Sequence, residues 1–160
     1  EPSMDRIVTV SGDAVHEPGN FKVPFGMNQA ELIEAAGGYK VDPEKIISGG
    51  PMMGFSMFTV DVPVTKTSSS ILCFTKDEVA QYEPTACINC GRCVEVCPSR
   101  LIPSRLADYA EHHDEEAFTK HEGLECMECG SCSYVCPAKR QLKQAIGSMR
   151  KTALANRKKK

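Results

Sequence analysis

Eight of the nine cysteines lie in two groups with the same spacing. The first group is a C-x-x-C-x-x-C-x-x-x-C-P run that consists of Cys87, Cys90, Cys93 and Cys97. The second run consists of Cys126, Cys129, Cys132 and Cys136. This spacing is typical of the thiolate ligands of [4Fe-4S] clusters in two-cluster ferredoxins. The sequence therefore predicts a protein that moves electrons rather than one that converts a substrate.

The spacing also predicts which cysteines share a cluster. One C-x-x-C-x-x-C loop offers three sulfurs to three irons of a cube, and in two-cluster ferredoxins the fourth cysteine of each run binds the other cluster. Cluster 1 is then held by Cys87, Cys90, Cys93 and Cys136. Cluster 2 is held by Cys126, Cys129, Cys132 and Cys97. Zinc is the alternative metal, but structural zinc sites use two C-x-x-C pairs and do not need the remaining cysteines of each run.

Several other residues have both a chemical and a structural interpretation. Cys73 lies in an apolar strand, which favours a buried structural thiol over a ninth ligand. His112 and His113 are expected at a solvated helix end. His121 precedes Cys126 by five residues, so a proton-linked effect on cluster 2 is the alternative to a structural role.

Arginine, methionine and glycine residues near the motifs are weaker candidates. Arg92 lies inside the first cysteine loop, where it either raises the potential of cluster 1 or points to solvent. Met52, Met53 and Met57 are expected to be packing residues. The nearby glycines have neither the dinucleotide-binding nor the P-loop spacing.

The two runs belong to an internal repeat, and helices are predicted around them. Seven of twelve positions are identical between 87–98 and 126–137, at an offset of 39 residues. A helix is predicted over 104–112, and a second one that Asp114 caps and that continues to Lys120. Leu142, Ile146, Met149 and Ala153 recur at helical spacing, so an amphipathic helix follows the second run.

The first half of the chain predicts a small mixed α/β unit. Asn28 is the predicted cap of a helix that ends at Gly37-Gly38. Alternating or β-branched segments predict five strands, over 6–11, 21–24, 45–48, 58–62 and 70–74. The fold class is therefore α+β, with domains at 1–83 and 84–140 and a basic amphipathic helix and tail over 141–160.

Charge and composition narrow the function classes. From residue 137 onward there are nine of the 19 basic residues and none of the 21 acidic ones, so the body is acidic and the tail basic. A solvated helix end, a flexible connector and a surface for an acidic partner or anionic lipid are the alternatives for this tail, and the basic residues at its very end favour the flexible connector. The acidic body argues against nucleic-acid binding.

The clustered cysteines indicate a reducing compartment. Both ends of the sequence suggest a fragment of a longer protein.

The order of these features resembles the C subunit of the Rnf electron-transport complex. Segments 8–12, 20–26, 32–38 and 48–54 are similar to the soluble-ligand-binding β-grasp domain of that protein. The double cysteine motif is similar to its ferredoxin domain. The resemblance implies a β-grasp domain with extra strands, followed by a mainly helical ferredoxin domain with two [4Fe-4S] clusters.

The resemblance also implies a setting for the chain. It implies an electron relay in a ferredoxin:NAD oxidoreductase that is coupled to ion transport, peripheral on the cytoplasmic side of the cell membrane. The implied partners are other subunits, including a ferredoxin-type one, and an upstream flavin/NADH domain of the same full-length chain. No flavin or NAD site and no catalytic residue are expected in this segment. A microcompartment cobalamin reductase and a docking module with structural clusters are the alternatives.

Overall fold

The computed structural model describes residues 2–158, which form two compact units that divide between Gln81 and Tyr82. The predicted domain boundary after residue 83 lies two residues further along. Lys159 and Lys160 of the predicted tail lie outside the described residues, as does Glu1. Among residues 2–158, no helix has both the length and the apolar character that crossing a bilayer requires.

The first unit is built on a mixed five-stranded sheet. The strands are β1 (Asp5–Ser11), β2 (Gly19–Pro24), β3 (Lys45–Ser48), β4 (Phe55–Met57) and β5 (Ser70–Phe74). Their order in the sheet is β2-β1-β5-β3-β4, and only the β1/β5 pair is parallel. Val8 and Val10 alternate with more exposed residues, so one face of β1 is buried in the core.

Helix α1 (Gln29–Ala35) covers the core face of this sheet through Leu32 and Ile33. The Asn28 side chain caps it, because its Oδ1 accepts the Ala30 N–H at 2.9 Å. The helix ends in two left-handed glycines, and the Gly38 N–H donates to the Ile33 carbonyl at 3.0 Å. The predicted start and stop signals of this helix are thus confirmed.

The predicted strand over 58–62 is wrong. The strand that pairs with β3 is β4, just upstream, and 58–62 forms bends. A side chain compensates the backbone here, because the Asp61 N–H donates to Thr59 Oγ1 at 3.1 Å, and the Asp61 side chain accepts a second bond, from Asn28 Nδ2 to Oδ1 at 2.6 Å. Such local bonds offer the chain an alternative to a sheet ladder.

The prediction that the three methionines are packing residues is also wrong for two of them. Met52 and Met53 are 42% and 61% exposed and line an open groove of about 790 Å³ beside β4. The hairpin explains this position, because the Gly54 N–H closes onto the Gly50 carbonyl and holds the intervening residues off the sheet. Met57 is half-buried and lines the same groove.

The second unit is mainly helical, as the fold-class prediction requires. Its core contains Leu106, Phe118, Leu142 and Ile146. The helices are α2 (Arg92–Glu95), α3 (Pro103–Glu111), α4 (Glu115–Lys120), α5 (Ser131–Tyr134) and α6 (Leu142–Arg157), with a 3-10 turn at Gly123–Glu125. Asp114 caps α4 by accepting the Ala117 N–H at 2.9 Å.

Candidate iron-sulfur sites

The two cysteine runs fold into the same backbone shape. In each, a loop leads to a short helix, α2 or α5, which begins after a glycine in the left-handed region (Gly91, φ 76°; Gly130, φ 82°). Other left-handed residues also recur at the offset of 39: Asn89 with Glu128, and Arg100 with Lys139. The repeat therefore extends from residue identity to local conformation, including strained positions that few non-glycine residues adopt.

Each loop surrounds a small pocket, and the pockets divide the eight cysteines into two sets of four. Site 1 is lined by Cys87, Cys90, Cys93 and Cys136. Site 2 is lined by Cys126, Cys129, Cys132 and Cys97. Both cavities are small, about 30 Å³ in site 1 and about 20 Å³ in site 2. Three cysteines of one run thus meet the last cysteine of the other, which is the grouping that the crossed pattern predicts.

Helices α3 and α6 supply the remaining walls, because they follow the last cysteine of each run. In site 1 the walls include Ser104, Leu142 and Arg140. In site 2 the corresponding positions of the repeat are Lys143, Pro103 and Leu101. The two sites are therefore related by the repeat, and they differ at particular wall positions.

Site 1 is the more open of the two. Cys87 and Cys90 are exposed, while Cys93 and Cys136 are half-buried. In site 2 Cys132 is buried and the other three cysteines are half-buried. Leu106 and Ile146 of the core also line site 2. The difference follows from the chain, since 82–90 is an exposed extended segment and the matching segment before Cys126 is packed on α4 and α6.

Backbone amides donate to two sulfurs of site 2. The Leu101 N–H donates to Cys97 Sγ at 3.3 Å, and the Glu128 N–H donates to Cys126 Sγ at 3.4 Å. Cys129 Sγ lies 3.5 Å from Ser131 Oγ. Hydrogen bonds to sulfur stabilise negative charge there, and they are one of the factors that set the potential of an iron-sulfur cluster.

The thiols of site 2 respond to these surroundings. Burial raises the pKa of Cys132 to about 11, and burial also raises the pKa of Cys126. The hydrogen bonds with Ser131 lower the pKa of Cys129. Because a metal binds thiolates, ligand binding here is coupled to release of these protons.

The other candidate residues lie outside both sites. Cys73 is buried in the first unit, and burial raises its pKa to about 11. Arg92 is exposed and does not line site 1. His112 and His121 each place Nδ1 against a carbonyl of their own helix, at 2.7 and 2.8 Å. The two histidines therefore have structural contacts, and neither lines a cysteine pocket.

One residue of site 1 was not predicted from the sequence. Arg140 was counted only as part of the basic tail, yet its side chain is 11% exposed and lines site 1. Its Nη2 lies 2.8 Å from the carboxylates of both Asp108 and Glu111 on α3. Comparing the two copies of the repeat could have identified this residue, because the second copy has Arg140 at the position where the first copy has Leu101.

Two family models match the two units. An SLBB domain matches residues 7–56, and a 4Fe-4S dicluster domain matches residues 86–140. The second match covers both cysteine runs and supports iron-sulfur clusters as the cofactors. The first match agrees with the mixed sheet of the first unit.

Curated relatives carry the same combination. The chain is 42% identical over 158 residues to the C subunit of the Na(+)-translocating ferredoxin:NAD(+) oxidoreductase complex of Acetobacterium woodii, covering 99% of this chain and 36% of the relative. It is 46% identical over 106 residues to the proton-translocating counterpart of Clostridium ljungdahlii, covering 66% and 23%. It is 40% identical over 122 residues to the C subunit of the ion-translocating oxidoreductase complex of Yersinia enterocolitica, covering 76% and 18%.

The chain thus spans between 18% and 36% of the length of these relatives. Within that span, the order of the two units, the two cysteine runs and the level of identity agree with one another. The chain is a homologue of one part of the C subunit of the Rnf complex, the part in which an SLBB domain precedes a 4Fe-4S dicluster domain.

Proposed function

We propose that this chain relays single electrons through two [4Fe-4S] clusters, one in each cysteine site. The observation that carries the proposal is that each pocket collects four cysteines, three from one run and one from the other. A cubane cluster has four irons and takes one thiolate on each. The ligands are Cys87, Cys90, Cys93 and Cys136 in site 1, and Cys126, Cys129, Cys132 and Cys97 in site 2.

The number and spacing of the cysteines fit a cluster better than a single ion. A structural zinc site commonly uses two C-x-x-C pairs for one ion. Each site here instead collects three cysteines of a C-x-x-C-x-x-C loop and the last cysteine of the other run, which offers one thiolate to each iron of a cubane. The amide donors to Cys97 and Cys126 add the hydrogen bonds that a negatively charged cluster requires.

Crossed ligation keeps the two sites close. Cys93 lines site 1 and Cys97 lines site 2, and only three residues lie between them, so four residue-to-residue steps connect them. Even fully extended, this segment spans at most about 14 Å, and in helical form about 6 Å. The second run imposes the same limit through Cys132 and Cys136. Bound clusters supply one-electron chemistry, and the chain holds them near enough together for the electron to pass from one to the other.

The relatives support a larger setting for this relay. Their names describe subunits of ferredoxin:NAD(+) oxidoreductase complexes that translocate ions. This chain therefore works with the other subunits of such a complex, including a ferredoxin-type one, and with an upstream flavin/NADH domain of its own full-length chain. It is peripheral, on the cytoplasmic side of the cell membrane. Substrate conversion takes place outside the part of the chain described here.

Anaerobic reconstitution followed by redox-titrated EPR tests the proposal. Two cubanes require about eight irons and about eight sulfides per chain, and dithionite should reduce both clusters. Reduced protein should then pass electrons to the complex that lacks its own copy of this segment. Saturation at half that iron content, or a folded protein that holds zinc instead, would overturn the two-cluster relay.

A further inference from the structure

Arg140 is the one charged residue among the described residues that line site 1, whereas Glu128 and Lys143 line site 2. It follows Cys136 by four residues and lines site 1, with its side chain 11% exposed. A guanidinium so buried needs compensation. Two carboxylates provide it: Asp108 and Glu111, one turn apart on α3, both lie 2.8 Å from Nη2. The ion pairs fix Arg140 between α3 and the loop that carries Cys136.

The bonds of Arg140 are distributed unevenly. Every hydrogen bond of its side chain to the described residues comes from Nη2. Nε and Nη1 make no bond within that part of the chain, and neither is a buried unsatisfied atom. A guanidinium has five N–H donors in a planar fork. Nη2 is therefore engaged with α3, while the other donors bond to no cysteine sulfur of the described residues, so Arg140 acts on site 1 through its charge.

The first copy of the repeat has an uncharged residue at the position of Arg140. The position equivalent to Arg140 in the first copy is Leu101, which is buried and lines site 2. Both residues follow the last cysteine of a run by four positions and precede the equivalent helix, α3 or α6. The same backbone thus accepts an apolar side chain at this place in one site and a cation in the other.

We propose that Arg140 sets the reduction potential of the cluster in site 1 and so makes the two clusters unequal. This inference rests on the proposed function, because it needs a cluster in that site. A positive charge and N–H donors stabilise the reduced cluster, which is the more negative of its two states, and therefore raise its potential. Asp108 and Glu111 hold the guanidinium in place and offset part of its field. Site 2 has Leu101 at this position, and its own two charged wall residues, Lys143 and Glu128, are of opposite sign.

The test compares substitutions with opposite expected effects, in the reconstituted chain titrated by EPR. Arg140→Leu copies the residue of the other repeat. It should lower the ratio of reduced to oxidised cluster 1 about tenfold at a fixed potential, which is about 59 mV for one electron. The double variant Asp108→Asn/Glu111→Gln keeps the guanidinium and removes the offsetting charges, so it should move the potential of cluster 1 upward. Neither change should move cluster 2, whose signal is identified by its loss in a Cys129→Ser variant.

A control and the iron content separate the possible outcomes. Arg105→Leu removes an exposed arginine of α3 that lines neither cysteine site, and it should leave both potentials in place. If Arg140→Leu and the double variant both reduce stability but leave the reduction potential of cluster 1 unchanged, Arg140 has only a structural role and the inference fails. Equal shifts of both clusters would also overturn it. Iron content below about eight in the unsubstituted chain would instead count against the proposed function itself.

Discussion

Iron counting in paired cysteine variants tests the crossed ligand assignment without any need to identify spectral signals. Cys97 belongs to the first run in sequence but lines site 2. Its Sγ accepts the Leu101 N–H at 3.3 Å, so the sulfur is held in that position by the start of the α3 region. Cys97→Ala should therefore remove a ligand from the cluster of the second run and leave the first cluster with all four thiolates.

The magnitude follows from which cysteines share a pocket. Cys97→Ala combined with Cys126→Ala removes two ligands from site 2 only, so about four irons per chain should remain of about eight. Cys97→Ala combined with Cys90→Ala removes one ligand from each site, so both clusters are damaged and the iron content should fall well below four. The assay is iron and sulfide determination after anaerobic reconstitution, with circular dichroism to confirm that each variant keeps its helices.

The opposite order of iron contents would refute the crossed assignment. If Cys97 bound the cluster of its own run, the pair with Cys90 would retain about four irons and the pair with Cys126 would lose both clusters. The matched control is Cys73→Ala, which removes the ninth cysteine. Because Cys73 is buried in the first unit and lines neither site, this variant should keep the full iron content.

Three further predictions concern the two folded units. Asn28→Ala removes the cap of α1 and should lower the free energy of unfolding of the first unit by about 1 kcal/mol in urea titration, whereas Asn20→Ala should cost less. Phe118→Ala should destabilise the second unit by about 3 to 5 kcal/mol, because Phe118 is fully buried, and cluster loss on heating should follow at lower temperature. Burial raises the pKa of Cys73 from 9.0 to about 11. The unfolded thiol therefore loses its proton first, so stability of the first unit should fall by about 1 kcal/mol per pH unit from pH 9 to 11, and Cys73→Ala should reduce that slope.

The cysteine grouping was predictable because covalent spacing determines it. Only three residues lie between Cys93 and Cys97, which is too few for the chain to return easily to the cluster that Cys93 would bind. The second run has the same spacing between Cys132 and Cys136. The ends of α1 were predictable for a similar reason, since Asn28 and Gly37-Gly38 act on their own backbone neighbours. Local rules therefore predicted the grouping of the cysteines and the ends of the helix.

The strand over 58–62 was mispredicted because distant contacts decide the conformation of this segment. Val60 and Val62 have strand-like side chains, but the bond of Asn28 to Asp61 and that of the Gln29 N–H to the Val62 carbonyl at 3.0 Å hold this segment beside α1. These partners are about 33 residues away in sequence. Side-chain type alone carries no information about such a partner.

Arg140 was overlooked for the same reason, since its carboxylate partners precede it by 32 and 29 residues. The basic residues after residue 137 look uniform in composition, yet Arg140 is buried in ion pairs and Lys139 lies over the ring of Tyr82, 4.4 Å from its centroid. Composition therefore predicted a uniform basic tail, whereas the structure gives Lys139 and Arg140 specific contacts of their own.

The repeat suggests where the two sites acquire different properties. The features proposed to hold the clusters are duplicated: the four cysteines, the left-handed glycine and the short helix after it. The two sites differ in the exposure of their cysteines and at wall positions, where Arg140 lines one site and Leu101 the other, and where Ser104 is replaced by Lys143. A relay between two identical centres has no preferred site for the electron, whereas unequal walls favour one of them. The wall residues, rather than the ligands, are therefore the positions at which substitution should change the distribution of the electron while both clusters remain bound.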